Sequence, residues 1–239
     1  MAFLDRLFNP ESFFLDLCSH GTVAQIRKAI AKGANVNARR ESGLDVTALM
    51  LAIDNYNSTE VIAELVKSGA DVNGKTSNGW SVLVWAALKG NLKAIAELVK
   101  LGADINGRDQ NGWTTLMLGI DATGWKEINI SPEVVMELLK LGADVNARDL
   151  GGMTALMHAG GEPEVVTELV KSGADVNARD KNGETALMHM AKNGRTEAIS
   201  ALLEMGADPK IRNNDGKMAV ELVEDGVSVC GRLCDASYR

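Results

Sequence analysis

A short string of residues recurs six times along this chain and sets a period. The string Gly-Ala-Asp-Val-Asn, or a near copy of it, starts at Gly33, Gly69, Gly102, Gly142, Gly173 and Gly206. Successive copies are 36, 33, 40, 31 and 33 residues apart. A period near 33 residues is typical of repeat proteins, in which each unit buries its apolar face only by stacking on its neighbours. The sequence therefore predicts one stack of similar repeats.

Residues 76–108 form one undistorted repeat. It opens with the turn Ser77-Asn78-Gly79, and Ser81 follows as a helix N-cap, whose hydroxyl can accept a free backbone N–H. Threonine holds the same position in other repeats, at Thr47, Thr114, Thr154 and Thr185. The pattern predicts a first helix over 82–89 and a second over 92–101. The glycine of the recurring string then ends the second helix.

The pattern Asp-x-x-Gly-x-Thr-x-Leu, followed by two short helices and Gly-Ala-Asp-x-Asn, resembles the ankyrin repeat. The resemblance covers residues 12 to about 224 and implies an all-α solenoid of about seven helix-turn-helix repeats with β-hairpin-like finger loops. One departure is consistent: the family's Thr-Pro-Leu-His loses its proline and histidine. It becomes Thr-Ala-Leu-Met in three repeats, Thr-Thr-Leu-Met in one and Ser-Val-Leu-Val in one, and the Thr-Ala-Leu-Met variant resembles bacterial ankyrin proteins. The histidine that ties loops together in the family is thereby lost, so we expect weaker hydrogen bonding between repeats.

The repeat boundaries divide the chain into three segments. Residues 1–11 carry a short apolar face, and we expect them to cap the first repeat; a partner-binding or membrane-surface helix is the alternative. The repeats span 12–224, and residues 225–239 form a C-terminal cap and tail. The expected repeats are 12–39, 40–75, 76–108, 109–148, 149–179, 180–212 and 213–224.

Two spacings depart most from the period. The spacing of 40 reflects an insertion around residues 123–130 that carries Trp125, and the spacing of 31 reflects a deletion at Gly160-Gly161-Glu162-Pro163. The two lie in neighbouring repeats, so they are expected to change the same part of the surface. Loops carry function more often than scaffold does, which makes this region a candidate site.

Charge and composition argue against several classes of protein. The net charge of −7 argues against a general nucleic-acid binder. No apolar stretch reaches about 18 residues, so no membrane span is expected. Three cysteines give no disulfide framework. With no signal peptide in the N-terminal stretch, we expect a cytoplasmic protein; an effector exported by a non-cleaved signal is the alternative.

No residue pattern indicates catalysis, so we expect no enzyme activity and no cofactor. His158 and His189 occupy the same position in adjacent repeats, where packed structural histidines are expected. Cys230 and Cys234 lie at i and i+4 and could reach one metal ion, yet no second pair completes the four ligands of a structural zinc site. We therefore expect no metal, with a metal-dependent module at these cysteines as the alternative.

The resemblance implies that the fingers and first helices line a concave groove that binds another protein. The residue after each turn glycine is solvent-facing in the family. Here this row reads Leu44, Trp80, Trp113, Met153, Glu184 and Lys217. Trp80 and Trp113 are the strongest contact candidates, because tryptophan is enriched at interface hot spots. The alternative is that each indole packs on its neighbour's finger. Trp85 is expected to face the core.

A second row consists of basic residues. Each lies at the end of the extended segment that leads from one recurring string to the next turn: Arg39, Lys75, Arg108, Arg148, Arg179 and Arg212. Such a row could recognise an acidic peptide through charge-assisted bonds. The alternative is that the aspartate beside several of them, as at Asp149 and Asp180, neutralises the arginine locally. Leu88, Lys89 and the inserted Trp125 complete the expected contact set.

These observations predict a non-catalytic scaffold, a monomer that binds another protein or peptide through its concave face. The partner is expected to carry acidic segments, and neither nucleic acid nor membrane is expected. A self-associating structural protein that uses the exposed tryptophans is the alternative.

Overall fold

The computed structural model describes residues 10–40, 43–55, 58–120, 131–159, 162–223 and 233. Residues 1–9, Trp125, Cys230 and Cys234 lie outside this part, so the predictions made for them concern residues that are not described. The chain divides into an N-terminal half, residues 1–110, and a C-terminal half, residues 111–239. Each half is built from short antiparallel helix pairs.

The N-terminal half contains six helices and one hairpin in its described residues. The helices are α1 (Pro10–His20), α2 (Val23–Ala31), α3 (Ala48–Ile53), α4 (Ser58–Lys67), α5 (Val82–Leu88) and α6 (Leu92–Lys100). Strands β1 (Arg39–Arg40) and β2 (Val46–Thr47) pair antiparallel, with Arg39 opposite Thr47, and form a finger. The helices pair as α3 with α4 and α5 with α6, and α2, α4 and α6 pack side by side.

The C-terminal half repeats the same plan. Its described helices are α7 (Thr115–Ile120), α8 (Pro132–Lys140), α9 (Ala155–His158), α10 (Pro163–Lys171), α11 (Ala186–Lys192), α12 (Thr196–Glu204) and a 3₁₀ turn (Ala219–Leu222). The inner helices α7, α9 and α11 pack in sequence, and the outer helices α8, α10 and α12 form a second row. No helix in the described part of the chain is long and apolar enough to cross a bilayer.

The helix starts follow the predicted caps with one exception. The hydroxyls of four cap residues accept the backbone N–H three residues on, at 3.2–3.4 Å: Thr47, Ser81, Thr114 and Thr185. The prediction is wrong for Thr154, whose buried hydroxyl has no hydrogen-bond partner among the described residues. The backbone N–H of Thr154 instead donates to the sulfur of Met157 at 3.4 Å. Thr154 precedes α9, which has only four residues.

The six recurring glycines end helices, as predicted. Their φ angles lie between 92° and 96°, a left-handed conformation that strains any residue with a Cβ atom. Gly173 is typical. The next residue, Ala174, donates its backbone N–H to the carbonyl of Leu169, which gives one of the last carbonyls of α10 a hydrogen-bond donor. These glycines set where each outer helix stops.

Methionine fills the site of the lost family histidine. Met50, Met117 and Met188 are all fully or almost fully buried, each on the first turn of an inner helix. Their unbranched, apolar side chains suit irregular gaps in a core. The polar contacts of the lost histidine must therefore come from elsewhere.

The asparagine of the recurring string supplies some of these polar contacts, because it joins neighbouring repeats within each half. The Asn37 side chain accepts the backbone N–H of Asp71 at 2.8 Å and donates to the Gly69 carbonyl at 3.1 Å. In the C-terminal half, Asn146 does the same to Asp175 and Gly173, at 2.8 and 2.9 Å. Asn73 and Asn177 also accept the N–H of the next repeat's aspartate, Asp104 and Asp208. Hydrogen bonds between neighbouring repeats are therefore present within each half although the family's histidine is replaced.

We expect Asn146→Ala to lower the free energy of unfolding by about 1–2 kcal/mol, because one backbone donor and one backbone acceptor lose their partner. Urea unfolding followed by circular dichroism measures this loss. The matched control is Asn182→Ala, which removes an exposed finger amide and should cost less than about 0.5 kcal/mol. Equal losses in the two variants would contradict a bridging role for Asn146.

Candidate binding surface

The basic row is tied to backbone carbonyls. In the N-terminal half, Arg39 donates to the carbonyls of Asp45 at 3.1 Å and Lys75 at 2.7 Å. The ammonium of Lys75 donates in turn to the carbonyl of Arg108 at 2.8 Å. Each cation therefore bonds the same position of the next repeat, and this row helps to hold the stack together.

The C-terminal half continues the pattern. Arg148 donates to the carbonyls of Gly152 at 3.0 Å and Arg179 at 2.6 Å. Arg179 donates to Gly183 at 3.1 Å and to the Arg212 carbonyl at 2.9 Å. Carbonyls carry no net charge, so the positive charges of these exposed arginines remain on the surface.

The aspartates beside Arg148 and Arg179 hydrogen-bond within their own repeats. Asp149 uses one carboxylate oxygen to accept the N–H groups of Gly151 and Met153, at 2.7 and 2.9 Å. Its other oxygen lies 3.0 Å from Nε2 of His158. Both carboxylate oxygens of Asp149 therefore bind within their own finger and helix.

The next repeat has the same arrangement. Asp180 accepts the N–H groups of Asn182 and Glu184, each at 2.8 Å, and its second oxygen lies 3.0 Å from Nε2 of His189. Both Asp180 and Asp149 are almost fully buried side chains. His158 and His189 are largely buried, as predicted for structural histidines, and each fastens an inner helix to its finger. These contacts lie one residue after the position of the family's histidine.

The structure corrects the prediction for Glu184. It was expected to face solvent in the finger row, but it is only 5% exposed. Its carboxylate accepts from the ammonium of Lys192 at 2.5 Å and from the amide of Asn213 at 3.2 Å, and it lies 3.9 Å from Nε2 of His189. The chain turns Glu184 inward because three polar groups meet it there.

Asp180, Glu184 and His189 form a cluster that the sequence analysis missed. Their potential ligand atoms lie within 4.8 Å of one another, which is close enough for a metal ion. The spacing Asp-x₃-Glu-x₄-His was the signal available in the sequence. The Lys192 ammonium, however, already binds the Glu184 carboxylate and supplies positive charge there. The cluster is therefore complete as a protein network.

The two finger tryptophans are half-buried rather than fully exposed. The Trp113 ring lies 4.3 Å from the ring of His158, at an interplanar angle of 48°. This contact agrees with the alternative that the indole packs on a neighbouring repeat. The backbone N–H of Trp80 donates to the hydroxyl of Thr76 at 3.1 Å. Trp85, expected in the core, is half-buried, and the Lys89 ammonium lies 5.7 Å from its ring centroid.

The other predicted contacts differ in exposure. Met153 and Leu88 are half-buried, and Arg108 is exposed. Lys89 is exposed and forms an ion pair with Asp54 at 3.2 Å. Cys18 is fully buried, and this burial raises the pKa of its thiol to about 12, so it is not a reactive thiolate at neutral pH.

Three fingers of the C-terminal half present a strongly cationic surface. We call residues 148–154, 179–185 and 212–218 the C-terminal fingers. Their exposed charged residues comprise five cations, Arg148, Arg179, Lys181, Arg212 and Lys217, and one carboxylate, Asp215. The other three acids, Asp149, Asp180 and Glu184, point inward. Lys181 was not predicted from the sequence, nor was Leu150, a finger-tip residue that is 64% exposed.

We expect Asp180→Ala to lower the free energy of unfolding by about 2–3 kcal/mol, because two backbone donors and His189 lose their acceptor. Asp215→Ala is the matched control on the next finger, where the carboxylate is exposed. It should change the free energy of unfolding by less than about 0.5 kcal/mol. Urea unfolding measures both variants, and a small loss for Asp180→Ala would show that the carboxylate does not hold its finger.

Comparisons with known proteins agree with this architecture. A family model for ankyrin repeats (3 copies) matches at residues 14–109, 49–149, 106–180 and 122–213. None of the curated protein sequences matches the chain. The ankyrin repeat domain of Bcl-3, described as a unique member of the IkappaB protein family, superposes with a TM-score of 0.76 at 22% identity, covering 93% of this chain and 97% of that one.

The human ASB11 ankyrin repeat domain superposes with a TM-score of 0.71 at 24% identity, covering 93% of this chain and 96% of that one. At these identities the two structures support the fold alone. The family-model matches together span residues 14–213, well over half of the 239 residues. The chain therefore belongs to the ankyrin repeat family.

Proposed function

We propose that this protein is a non-catalytic scaffold that binds an acidic segment of another protein on its C-terminal fingers. Ankyrin repeat domains are generally protein–protein interaction modules and typically not enzymes. The observation that carries the proposal is the charge of the fingers: five exposed cations and one exposed carboxylate, in a chain of net charge −7. One of the five, Arg212, also forms an ion pair with Glu221 at 3.4 Å. Opposite charge attracts a partner and orients its approach.

Apolar side chains on the same half supply the contact area. Leu150 is exposed at a finger tip, and its Cγ lies close above Gly112, where an added Cβ would come within 3.3 Å of it. Trp113 and Met153 are half-buried and follow the turn glycines of their fingers. Exposed apolar groups beside cations are typical of protein-binding surfaces, in which the apolar groups supply affinity and the charges supply orientation. The proposed mechanism is binding of the partner to a rigid surface that is complementary to it.

The remaining predicted contacts belong to the N-terminal half or lie outside the described residues. Trp80, Leu88, Lys89 and Arg108 stay proposed partner contacts on that half, and Trp125 stays a proposed contact on the insertion. Glu184 is removed from the set because it is buried. Arg148 and Arg179 are retained for their charge, although some of their N–H groups bind carbonyls.

We also propose that the protein acts as a monomer in a bacterial cytoplasm. The Thr-Ala-Leu-Met variant supports the bacterial source, and the acidic composition and sparse cysteines are compatible with the compartment. Light scattering over a range of concentrations tests the monomer, since self-association would raise the apparent mass.

The test is capture of partners from an extract of the source cell on immobilised protein. In the variant Lys181→Glu plus Lys217→Glu, two exposed finger cations become acids. Binding of the specific partner should weaken at least about tenfold, or about 1.4 kcal/mol. The loss should be larger at low salt than at high salt, because exposed charges are screened.

The control variant is Lys140→Glu plus Lys171→Glu, on the outer helices α8 and α10 of the same half. It changes the net charge of the chain by the same amount, so it separates finger contacts from bulk charge. Equal binding losses in the two variants would contradict the finger surface. A captured protein whose binding neither variant weakens would also contradict it.

A further inference from the structure

Each C-terminal finger presents two outward side chains. In the finger of residues 179–185, Arg179 and Lys181 are exposed, and Asp180 between them is buried. This alternation is that of an extended chain, in which successive side chains point to opposite sides. The other two fingers alternate in the same way. The outward residues therefore form two rows, which we call the arginine row (Arg148, Arg179 and Arg212) and the tip row (Leu150, Lys181 and Asn214).

The tip row follows the stacking of the repeats. The backbone N–H of Lys181 donates to the carbonyl of Gly151 at 3.0 Å, and the N–H of Asn214 donates to the carbonyl of Asn182 at 2.9 Å. Gly151 and Asn182 occupy the same position in their fingers. Each of these tip residues is thus fixed to the preceding finger by the same contact, so successive tips are displaced by one repeat.

The arginine row is held at the same spacing. Arg148, Arg179 and Arg212 each donate to the carbonyl of the turn glycine four residues further on. Arg148 and Arg179 also donate to the backbone carbonyl of the next arginine in the row. Packed helices of neighbouring repeats lie about 10 Å apart. The guanidinium groups therefore recur at about that distance.

The middle finger attracts an anion most strongly. Among the residues that the structure describes, Arg179 and Lys181 form no ion pair, whereas Arg212 pairs with Glu221 at 3.4 Å. The two carbonyl bonds of Arg179 use two of the five N–H groups of a guanidinium. A carboxylate placed over this finger meets two cations on one face, and charge-assisted hydrogen bonds of this kind are strong.

The dimensions of the outward face select an extended partner. The two rows lie two residues apart on each finger, which is about 7 Å along an extended chain. This width is less than the diameter of an α-helix with its side chains, about 10–12 Å. Three residues of an extended segment span about 10 Å, which matches one repeat of the stack. Every third residue of such a segment therefore lies over a new finger.

We propose that the C-terminal fingers bind an extended partner segment that runs across them and carries acidic residues three positions apart. The middle carboxylate binds Arg179 and Lys181, and the carboxylates before and after it face Arg148 and Arg212. This inference rests on the proposed function and deepens it, because it defines the conformation of the partner segment and the spacing of its acidic residues.

The first experiment compares acidic peptides of identical composition. Each contains three aspartates among alanine, glycine and serine, placed three residues apart, two residues apart or in one cluster. A separate helix-forming peptide places them seven residues apart, which is also about 10 Å. Binding to the full chain is measured by fluorescence anisotropy at low salt. We expect the peptide with the three-residue spacing to bind at least about threefold more tightly than each of the others.

A double-mutant cycle assigns the middle carboxylate. Replacing the middle aspartate of the peptide with asparagine should weaken binding to the wild type about two- to fivefold, as for other exposed ion pairs. The same replacement should have a smaller effect on binding to Lys181→Gln, because that variant already lacks one of the two cations. Lys171→Gln, which changes an exposed lysine on outer helix α10, is the matched control and should retain the full effect. Thermal unfolding establishes that both variants are folded.

The outcomes separate this inference from the proposed function. If all the peptides bind with equal affinity, or if the helix-forming peptide binds most tightly, the motif is overturned and the acidic-partner surface stands. A full effect of the middle aspartate on folded Lys181→Gln also overturns the motif, because the carboxylate then lies elsewhere. If no peptide binds, the motif is overturned, and the capture experiment with Lys181→Glu plus Lys217→Glu decides the proposed function independently.

Discussion

In each half, a side-chain amide holds neighbouring repeats in register. The asparagine that ends the recurring string reaches the next repeat and bonds there to the N–H of an aspartate, at 2.8 Å for Asn37, Asn73, Asn146 and Asn177. Three of the four also donate to the carbonyl of the glycine that ends the neighbouring helix. Helix packing alone could slide along a smooth apolar face, whereas a hydrogen bond has a defined distance and direction. Finger spacing depends on this register.

The fingers combine inward acids with outward cations. Asp149 and Asp180 turn inward, where they accept backbone N–H groups and contact a histidine. Arg148 and Arg179 are exposed, and their guanidinium groups donate to backbone carbonyls. A protein of net charge −7 thereby presents a positive local surface, and net charge alone would have pointed to the opposite kind of partner.

The departures from the regular repeat concentrate in one place. The short helix α9 follows Thr154, whose hydroxyl finds no partner among the described residues, and a cavity of about 90 Å³ lies at its end. The cap hydroxyls of Thr114 and Thr185, before the longer helices α7 and α11, accept their usual N–H. Sequence spacing already indicated an irregularity at this repeat, but a spacing of 31 residues does not say whether the chain closes the gap or leaves it open.

Local features of this protein follow from its sequence alone. The predicted helices over 82–89 and 92–101 are observed as Val82–Leu88 and Leu92–Lys100, and the recurring glycines adopt positive φ. These features depend on residues only a few positions apart in the chain, so the sequence alone predicts them. Only the tertiary structure decided that Glu184 turns inward and that the arginines bind carbonyls. Their partners, such as Asn213 for Glu184 and Arg212 for Arg179, lie about one repeat away, and a contact at that distance depends on how two repeats pack.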